Sequence, residues 1–307
     1  MKKSHELIQL EICQRRGIVL DDHKMKRLYT LSKGFEGEHT VYQWLQNYGR
    51  GQLDLVTDYW FNHGKDMQVD LLVLLRNRWI VIEVKNYFGH FEYRNHECYL
   101  NGKLMSDNHF SQLAHRTKRL QHIANDFDNN IKVESLMVFI DEHCEVNISA
   151  EAPTRVIQRH QLRAFIQTLT NEQEYHAGSQ KVIHHLEKYR VASPFQPIEI
   201  DGQKVAREFR RGLACSECRQ FNINTSLLYL RCKSCGHEEY KKSAVQRMAL
   251  ELRYIYYYQP EKITSGIILE YCGGLISKRT IVRSLRSTYP LVNKSSKSYY
   301  EVPLLDI

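Results

Sequence analysis

Two apolar runs, residues 69–75 and 79–85, separated only by Arg76-Asn77-Arg78, constrain this chain more than any other feature. Both are rich in Val, Ile and Leu, and Trp79 opens the second, so the pair is expected to form a β-hairpin. Three charged residues interrupt it: Asp70 in the first run, Glu83 and Lys85 in the second. Val81, Ile82 and Val84 interleave with the charges, which predicts a strand buried on both faces, and a charge in such a strand needs a partner or a metal. Strand side chains alternate between faces, so Glu83 and Lys85 share one. A two-residue turn at Arg76-Asn77 sets Asp70 opposite Glu83, and one at Asn77-Arg78 sets it opposite Lys85, on that same face either way. A three-residue turn would send Asp70 to the other side.

Two carboxylates and a lysine on one face have the composition of a metal-dependent phosphodiesterase site. Cleaving a phosphodiester at neutral pH needs charge neutralisation and an activated water, and a divalent ion on oxygen ligands supplies both. Asp70 and Glu83 are the expected ligands for Mg2+ or Mn2+, with a backbone carbonyl such as that of Val84 and substrate oxygens completing the shell. Lys85 as a base needs a depressed pKa, whereas Lys85 as an orienting cation does not; both roles stay open. The plain alternative, a solvent-facing Glu-x-Lys pair, is disfavoured by the apolar neighbours.

Gly34-Phe35-Glu36-Gly37-Glu38 opens a stretch with Val41, Tyr42, Leu45 and Tyr48 at helical spacing, placing Glu38 in a first helical turn. Downstream, residues 108–127 are expected to form a helix with Gln112, His115, Arg116 and Arg119 along one side. The succession of Gly34 to Glu38, Val69-Asp70-Leu71-Leu72-Val73, Ile82-Glu83-Val84-Lys85-Asn86-Tyr87-Phe88-Gly89 and Asn108 with Gln112 resembles the nuclease-related domain (NERD) family. The resemblance covers roughly residues 30–140. It implies a restriction-endonuclease-like PD-(D/E)xK fold, a mixed central sheet flanked by helices. It further implies an active-site core of Asp70, Glu83 and Lys85, with Glu38 and Gln112 as supporting polar residues. One departure is visible: His109 stands where members of the family commonly have proline.

The chain has 307 residues, 42% hydrophobic and 25% charged, which suits a soluble chain of two or three domains. No run of 18 apolar residues occurs, and Met1-Lys2-Lys3-Ser4-His5-Glu6 is not followed by an apolar signal core, so a cytoplasmic location is expected. The net charge of +8 is unevenly placed: residues 1–193 carry 25 Lys and Arg against 24 Asp and Glu, residues 194–307 carry 18 against 11. The change falls at Ala192-Ser193-Pro194-Phe195-Gln196-Pro197, which reads as a linker. The expected organisation is a nuclease-related domain at 1–193, completed by a strand at 134–140 and helices at 159–169 and 181–189. A linker at 194–204, a zinc ribbon at 205–243 and a basic helical module at 244–307 follow.

Cys215-Ser216-Glu217-Cys218 and Cys232-Lys233-Ser234-Cys235-Gly236 stand thirteen residues apart, the spacing of one tetrahedral four-cysteine zinc site. Four thiolates leave no open position, so the zinc is expected to be structural. Beyond it, a helix at 265–271, the turn Cys272-Gly273-Gly274 and a helix capped by Ser277 resemble a helix-turn-helix. Arg279, Arg283 and Arg286 line one side of the second helix, with Ile281, Val282 and Leu285 roughly opposite. Residues 298–302 would add a wing strand, with Lys294 and Lys297 beside it contacting phosphate. The alternative is a small helical cap with solvated charges. His184-His185, Cys98, Cys144 and Cys272 lack partners at ligand spacing, and no Walker-type loop, dinucleotide fingerprint or repeat is present.

The expected activity is therefore Mg2+- or Mn2+-dependent hydrolysis of DNA, with the C-terminal modules recruiting the nucleic acid. DNA is preferred because the fold it resembles mostly cuts DNA; RNA stays open, since the phosphate chemistry is shared. The competing reading is a catalytically silent nuclease fold that binds DNA or a protein. A homodimer is compatible with double-strand cutting, but no residue points to one.

Overall fold

The structure is a computed structural model that describes residues 1–50, 53–149, 151–172, 179–194, 197–294 and 297–304, with backbone alone at 171, 172, 179, 294 and 297. The helices α1 (His5–Arg15) and α2 (Asp22–Tyr48) precede the strands β1 (Asp54–Asn62), β2 (Asp66–Leu75), β3 (Arg78–Lys85), β4 (Gly89–Arg94), β5 (Glu97–Leu100) and β6 (Lys103–Leu104). Next come α3 (His109–Asn125), β7 (Lys132–Phe139), β8 (Cys144–Ile148), β9 (Arg155–Gln158), α4 (Arg159–Glu172) and α5 (Ser179–Glu187). Two compact units emerge, one of residues 1–2 and 30–194, the other of 3–29 and 195–307. The expected domain 1–193 thus loses residues 3–29, because Ile12, Cys13 and Ile18 are buried in the second unit's core.

In the first unit the central sheet runs β1-β2-β3-β7-β9, with β1, β2 and β3 antiparallel and β3, β7 and β9 parallel. Both sides are covered. Leu71, Val73, Leu75, Ile80 and Ile82 pack on Val41 and Leu45 of α2 and Leu162 and Ile166 of α4. The alternate residues Leu72, Leu74, Trp79 and Val81 pack on Phe110, Leu113 and Leu120 of α3. This is the mixed sheet flanked by helices that the resemblance implies, and its middle strands are buried on both faces as the apolar runs predict. A second sheet, β6-β5-β4-β8, carries little sequence signal, because its strands are short and half-polar.

The helix α2 is longer than expected: Glu38 lies well inside it, not in a first turn. Gly34 and Gly37 look like a helix start, but glycine is tolerated within a helix where close packing requires it. A Cβ on Gly37 would stand 2.7 Å from Cβ of Asn86.

The second unit holds α6 (Gly202–Glu208), which overlaps the end of the expected linker, and a three-stranded antiparallel sheet of β10 (Ile223–Thr225), β11 (Tyr229–Cys232) and β12 (Glu238–Tyr240). Then come α7 (Lys241–Ile255), α8 (Ser265–Tyr271), α9 (Lys278–Arg286) and the hairpin of β13 (Leu291–Lys294) and β14 (Lys297–Tyr300). Its interior contains a charged anchor: Arg16, fully buried, donates to Glu251 and to the carbonyls of Arg210 and Gly212. Such a buried charge is held only because each donor has a partner.

Candidate active site and zinc centre

Leu75 pairs with Arg78, so the turn is the two-residue Arg76-Asn77, and the register continues to Leu71 opposite Ile82. One step on, Asp70 stands opposite Glu83. There the ladder between β2 and β3 stops. β3 continues to pair with β7 as far as Lys85 opposite Phe139, while Val69 and Gln68 continue to pair with β1. In the divergence, Oδ2 of Asp70 accepts the backbone N–H of Val84 at 3.1 Å. The side-chain carboxylate thus substitutes for a ladder carbonyl, and the alternation puts Asp70, Glu83 and Lys85 together on the face covered by α3.

Glu83 is buried and held from two directions. Nζ of Lys85 lies 2.8 Å from Oε1 and Nη1 of Arg116 lies 2.5 Å from Oε2. Burial pushes its carboxyl up, but the charges of Lys85 and Arg116 outweigh this and hold it below the usual value. Burial likewise opposes the charge on Lys85, yet Glu83, Tyr87 and Asp70 keep its ammonium above the ordinary value. At Asp70 the balance is reversed: burial and the adjacent Glu83 outweigh Lys85, the Val84 N–H and Arg116 and push it up to about 7. Burial, Asp70, Asp58 and Glu83 push Glu38 up to about 9. Sequence reasoning missed Asp58. Its register position is opposite Asp70, its φ is +47°, and its Oδ1 accepts from Trp60 and Gln68. A lone aspartate in a strand carries no signal for that conformation.

Gln112 is not brought to these groups. It is exposed and its Nε2 donates to Asp107 at 3.1 Å. One helical turn on, Arg116 reaches Glu83 instead; four residues on a helix share a side, so the helix face was legible and the residue on it was not. His109, at the position the family resemblance gives to proline, is the first residue of α3. Its Nε2 is 2.8 Å from the Tyr87 hydroxyl, and burial with the charge of Lys85 pushes it down to about 4.

Two carboxylates facing each other at a strand divergence, with two more acids near, gather oxygen donors beside Lys85 and Arg116. That donor set fits a hard divalent cation. Among the described residues, however, only the four cysteines form a group of three or more such ligands with donor atoms within 4.8 Å of one another.

The model of one family, the nuclease-related domain, matches residues 33–140. This segment is a nuclease-related domain. It contains Glu38, Asp70, Glu83, Lys85 and Arg116, and its mixed sheet between helices is the architecture that the resemblance implied. Two solved structures show similarity to the chain. Can2 from Sulfobacillus thermosulfidooxidans, solved with cyclic tetra-adenylate, is 17% identical over 54% of this chain and 51% of its own, with a TM-score of 0.32. The alignment thus spans about half the length of Can2. The small subunit of a heterodimeric restriction endonuclease is 14% identical over 59% of this chain and 86% of its own, with a TM-score of 0.24. The comparison with curated proteins finds no match.

Outside the nuclease-related domain, Sγ of Cys215 lies 3.7 Å from that of Cys235, and Sγ of Cys218 lies 3.5 Å from that of Cys232. A tetrahedron with Zn–S of about 2.3 Å has edges of about 3.8 Å, so the four thiols could hold a zinc ion as they stand. The two halves are built alike: the N–H of Arg219 donates to the Cys215 carbonyl and that of Gly236 to the Cys232 carbonyl, each from a positive φ. The backbone N–H of Cys235, helped by that of Ser234, pulls the Cys232 thiol down to about 6.

Ser277 caps α9, and Arg279, Arg283 and Arg286, joined by Lys278, line an open depression of about 720 Å³. Val282 lies on this side too, and Ser284 is buried with Ile281 and Leu285 instead. The wing hairpin forms with Lys294 opposite Lys297, one residue earlier than expected, and the side chains of those two lysines lie outside the described residues. No described helix is long and apolar enough to cross a membrane.

Proposed function

We propose that this chain is a Mg2+- or Mn2+-dependent nuclease that acts on DNA, with Asp70 and Glu83 as metal ligands and Lys85 as a charge-stabilising cation. The observation that carries the reading is the pairing of Asp70 with Glu83 where β2 and β3 part, two carboxylates of which one is pushed to about 7 by burial and by the other. A divalent ion there would relieve that repulsion, polarise the scissile phosphate and acidify a bound water. Lys85, held protonated beside Glu83, neutralises charge on the phosphate instead of removing a proton. Arg116 supplies a second cation on the same side. Glu38 adds a proton-holding carboxyl next to Asp70. In the second unit, a structural zinc stabilises the ribbon, and Lys278, Arg279, Arg283 and Arg286 with the wing lysines bind the phosphate backbone.

A second reading, the catalytically silent DNA-binding scaffold, is favoured by one observation: Glu83 is already neutralised by Lys85 and Arg116. Cleavage of supercoiled plasmid with Mg2+ or Mn2+, with single-stranded DNA and RNA in parallel, separates the two. Activity in the wild type that disappears in Asp70→Ala and Lys85→Ala establishes the nuclease. Inactivity on every substrate, or activity that survives both changes, leaves the scaffold.

A further inference from the structure

A recess of about 370 Å³ on the first unit lies between the end of α3 and the exposed side of α5, lined by Phe127, Gln180, Lys181, His184, His185 and Lys188. We infer that it binds one nucleoside phosphate unit, the base on the Phe127 ring and the phosphate on Lys181 and Lys188. The inference deepens the nuclease reading and rests on it only for the idea that the unit belongs to a longer strand.

The ring is presented, not left over. Phe127 is 39% exposed, and His185 stands behind it at 5.2 Å between centroids. His185 is itself fixed, since its Nε2 can only donate to the Ile123 carbonyl, 2.9 Å away. The cations are available. Lys181 and Lys188 both line the recess, two turns of helix apart. Among the described residues, three acids close by in the chain are engaged elsewhere: Glu187 with Arg190, Asp126 with the Tyr189 hydroxyl, Asp128 with Asn130. An accessible aromatic face beside ammonium groups is the pattern that holds a nucleotide through stacking and charge.

The surroundings point toward the carboxylates. Rings continue from Phe127 through His185 to Tyr189, His63 and His122, with centroids 5.2 to 6.3 Å apart at each step. His122 lies on α3, the helix that carries Arg116 to Glu83. From Arg116 to the end of α3 is about 14 Å of helix axis, roughly four nucleotides at the B-form rise. Basic and aromatic groups along one helix suit a single strand leading away from the cleavage site.

The test is equilibrium binding to the full chain without added divalent metal, so that nothing is cut. The probes are adenosine monophosphate, inorganic phosphate and a fluorescent single-stranded oligonucleotide, and the variants are Phe127→Ala, Phe127→Tyr and Lys181→Ala with Lys188→Ala. All three positions are exposed, and thermal melting confirms folding. Adenosine monophosphate is expected to bind better than phosphate, about fivefold or more weaker in Phe127→Ala, and to be restored in Phe127→Tyr. An oligonucleotide weakened by the same variants identifies the ligand as a strand; one unaffected by them, with mononucleotide binding still abolished, identifies a free nucleotide. Wild-type affinity for both probes in every variant overturns the site. Because the readout is binding, a protein that holds nucleotides here but cuts nothing would remove the nuclease reading and keep this one.

Discussion

The backbone N–H of Val84 donates to the Asp70 carboxylate across the point where β2 and β3 separate. One aspartate thus stands at the end of a ladder, close enough to Glu83 for the two charges to repel. Asp70→Asn keeps an acceptor for Val84 and removes the charge. The expected outcome is a folded protein with unchanged circular dichroism, no calorimetric Mn2+ binding at this site, and cleavage reduced by roughly a hundredfold or more. Asp70→Asn that binds Mn2+ like the wild type would contradict the ligand assignment.

Stability should depend on pH through Glu38. Its folded value of about 9 exceeds the ordinary 4.5, so between these the folded chain holds a proton that the unfolded chain has released, and stability falls as pH rises. Asp70, at about 7 against 3.8, has the same sign at lower pH. His109, at about 4 against 6.5, has the opposite sign, but its window closes near 6.5. Between about pH 7 and 8.5 Glu38 is opposed by Cys232, whose value of about 6 against 9.0 makes stability rise with pH, so the comparison must be with a variant that keeps Cys232. Without added divalent metal the melting temperature of the wild type should fall more, or rise less, across that range than that of Glu38→Gln. Parallel slopes would remove Glu38 as the cause.

Gly37→Ala should destabilise the chain by about 1–3 kcal/mol, as overpacking does. The new methyl would meet Asn86, whose side chain is anchored to the Lys33 carbonyl at 2.7 Å, and Ile140 on another side. Urea denaturation measures this, and Gly34→Ala, with only the Glu38 carboxylate at 4.0 Å, is the mild control.

Removal of zinc should unfold the ribbon without dissolving the sheet of the first unit. Treating the protein with a chelator of zinc should release one ion for four thiols, detectable by a colorimetric zinc dye and by new reactivity of Cys215, Cys218, Cys232 and Cys235. Cys13, buried in the second unit's core and with its thiol pushed up to about 12 by burial, should stay unreactive in the loaded protein.

Changing Arg279, Arg283 and Arg286 to alanine together should weaken DNA binding and flatten its salt dependence. Every phosphate that goes unneutralised lowers the slope of log K against log salt by about 0.9 for a duplex. An unchanged slope would assign these charges to solvent.

Much of this was legible because strand periodicity and zinc spacing are local. The alternation in 69–75 and 79–85 fixes which residues share a face once the turn is two residues long, and the two Cys-x-x-Cys pairs need only a short hairpin to meet. Gln112 and Arg116 lie on one helix side, and periodicity has no means of choosing between neighbours on it. The long α2 was hidden because glycine reads as a breaker unless its partner across the interface is known.

The sequence by itself determined the strands that carry Asp70, Glu83 and Lys85, the shared face of Glu83 and Lys85, and the four-cysteine spacing, since these depend on residues close in the chain, while the two-residue turn that brings Asp70 to that face came from the structure. The tertiary structure decided that β2 and β3 part at Asp70, that Arg116 and not Gln112 reaches Glu83, that Asp58 and Glu38 crowd the same carboxylates, and that residues 3–29 join the second unit's core. Each of these depends on which surfaces meet across long sequence separations, and burial, not local propensity, selects those meetings.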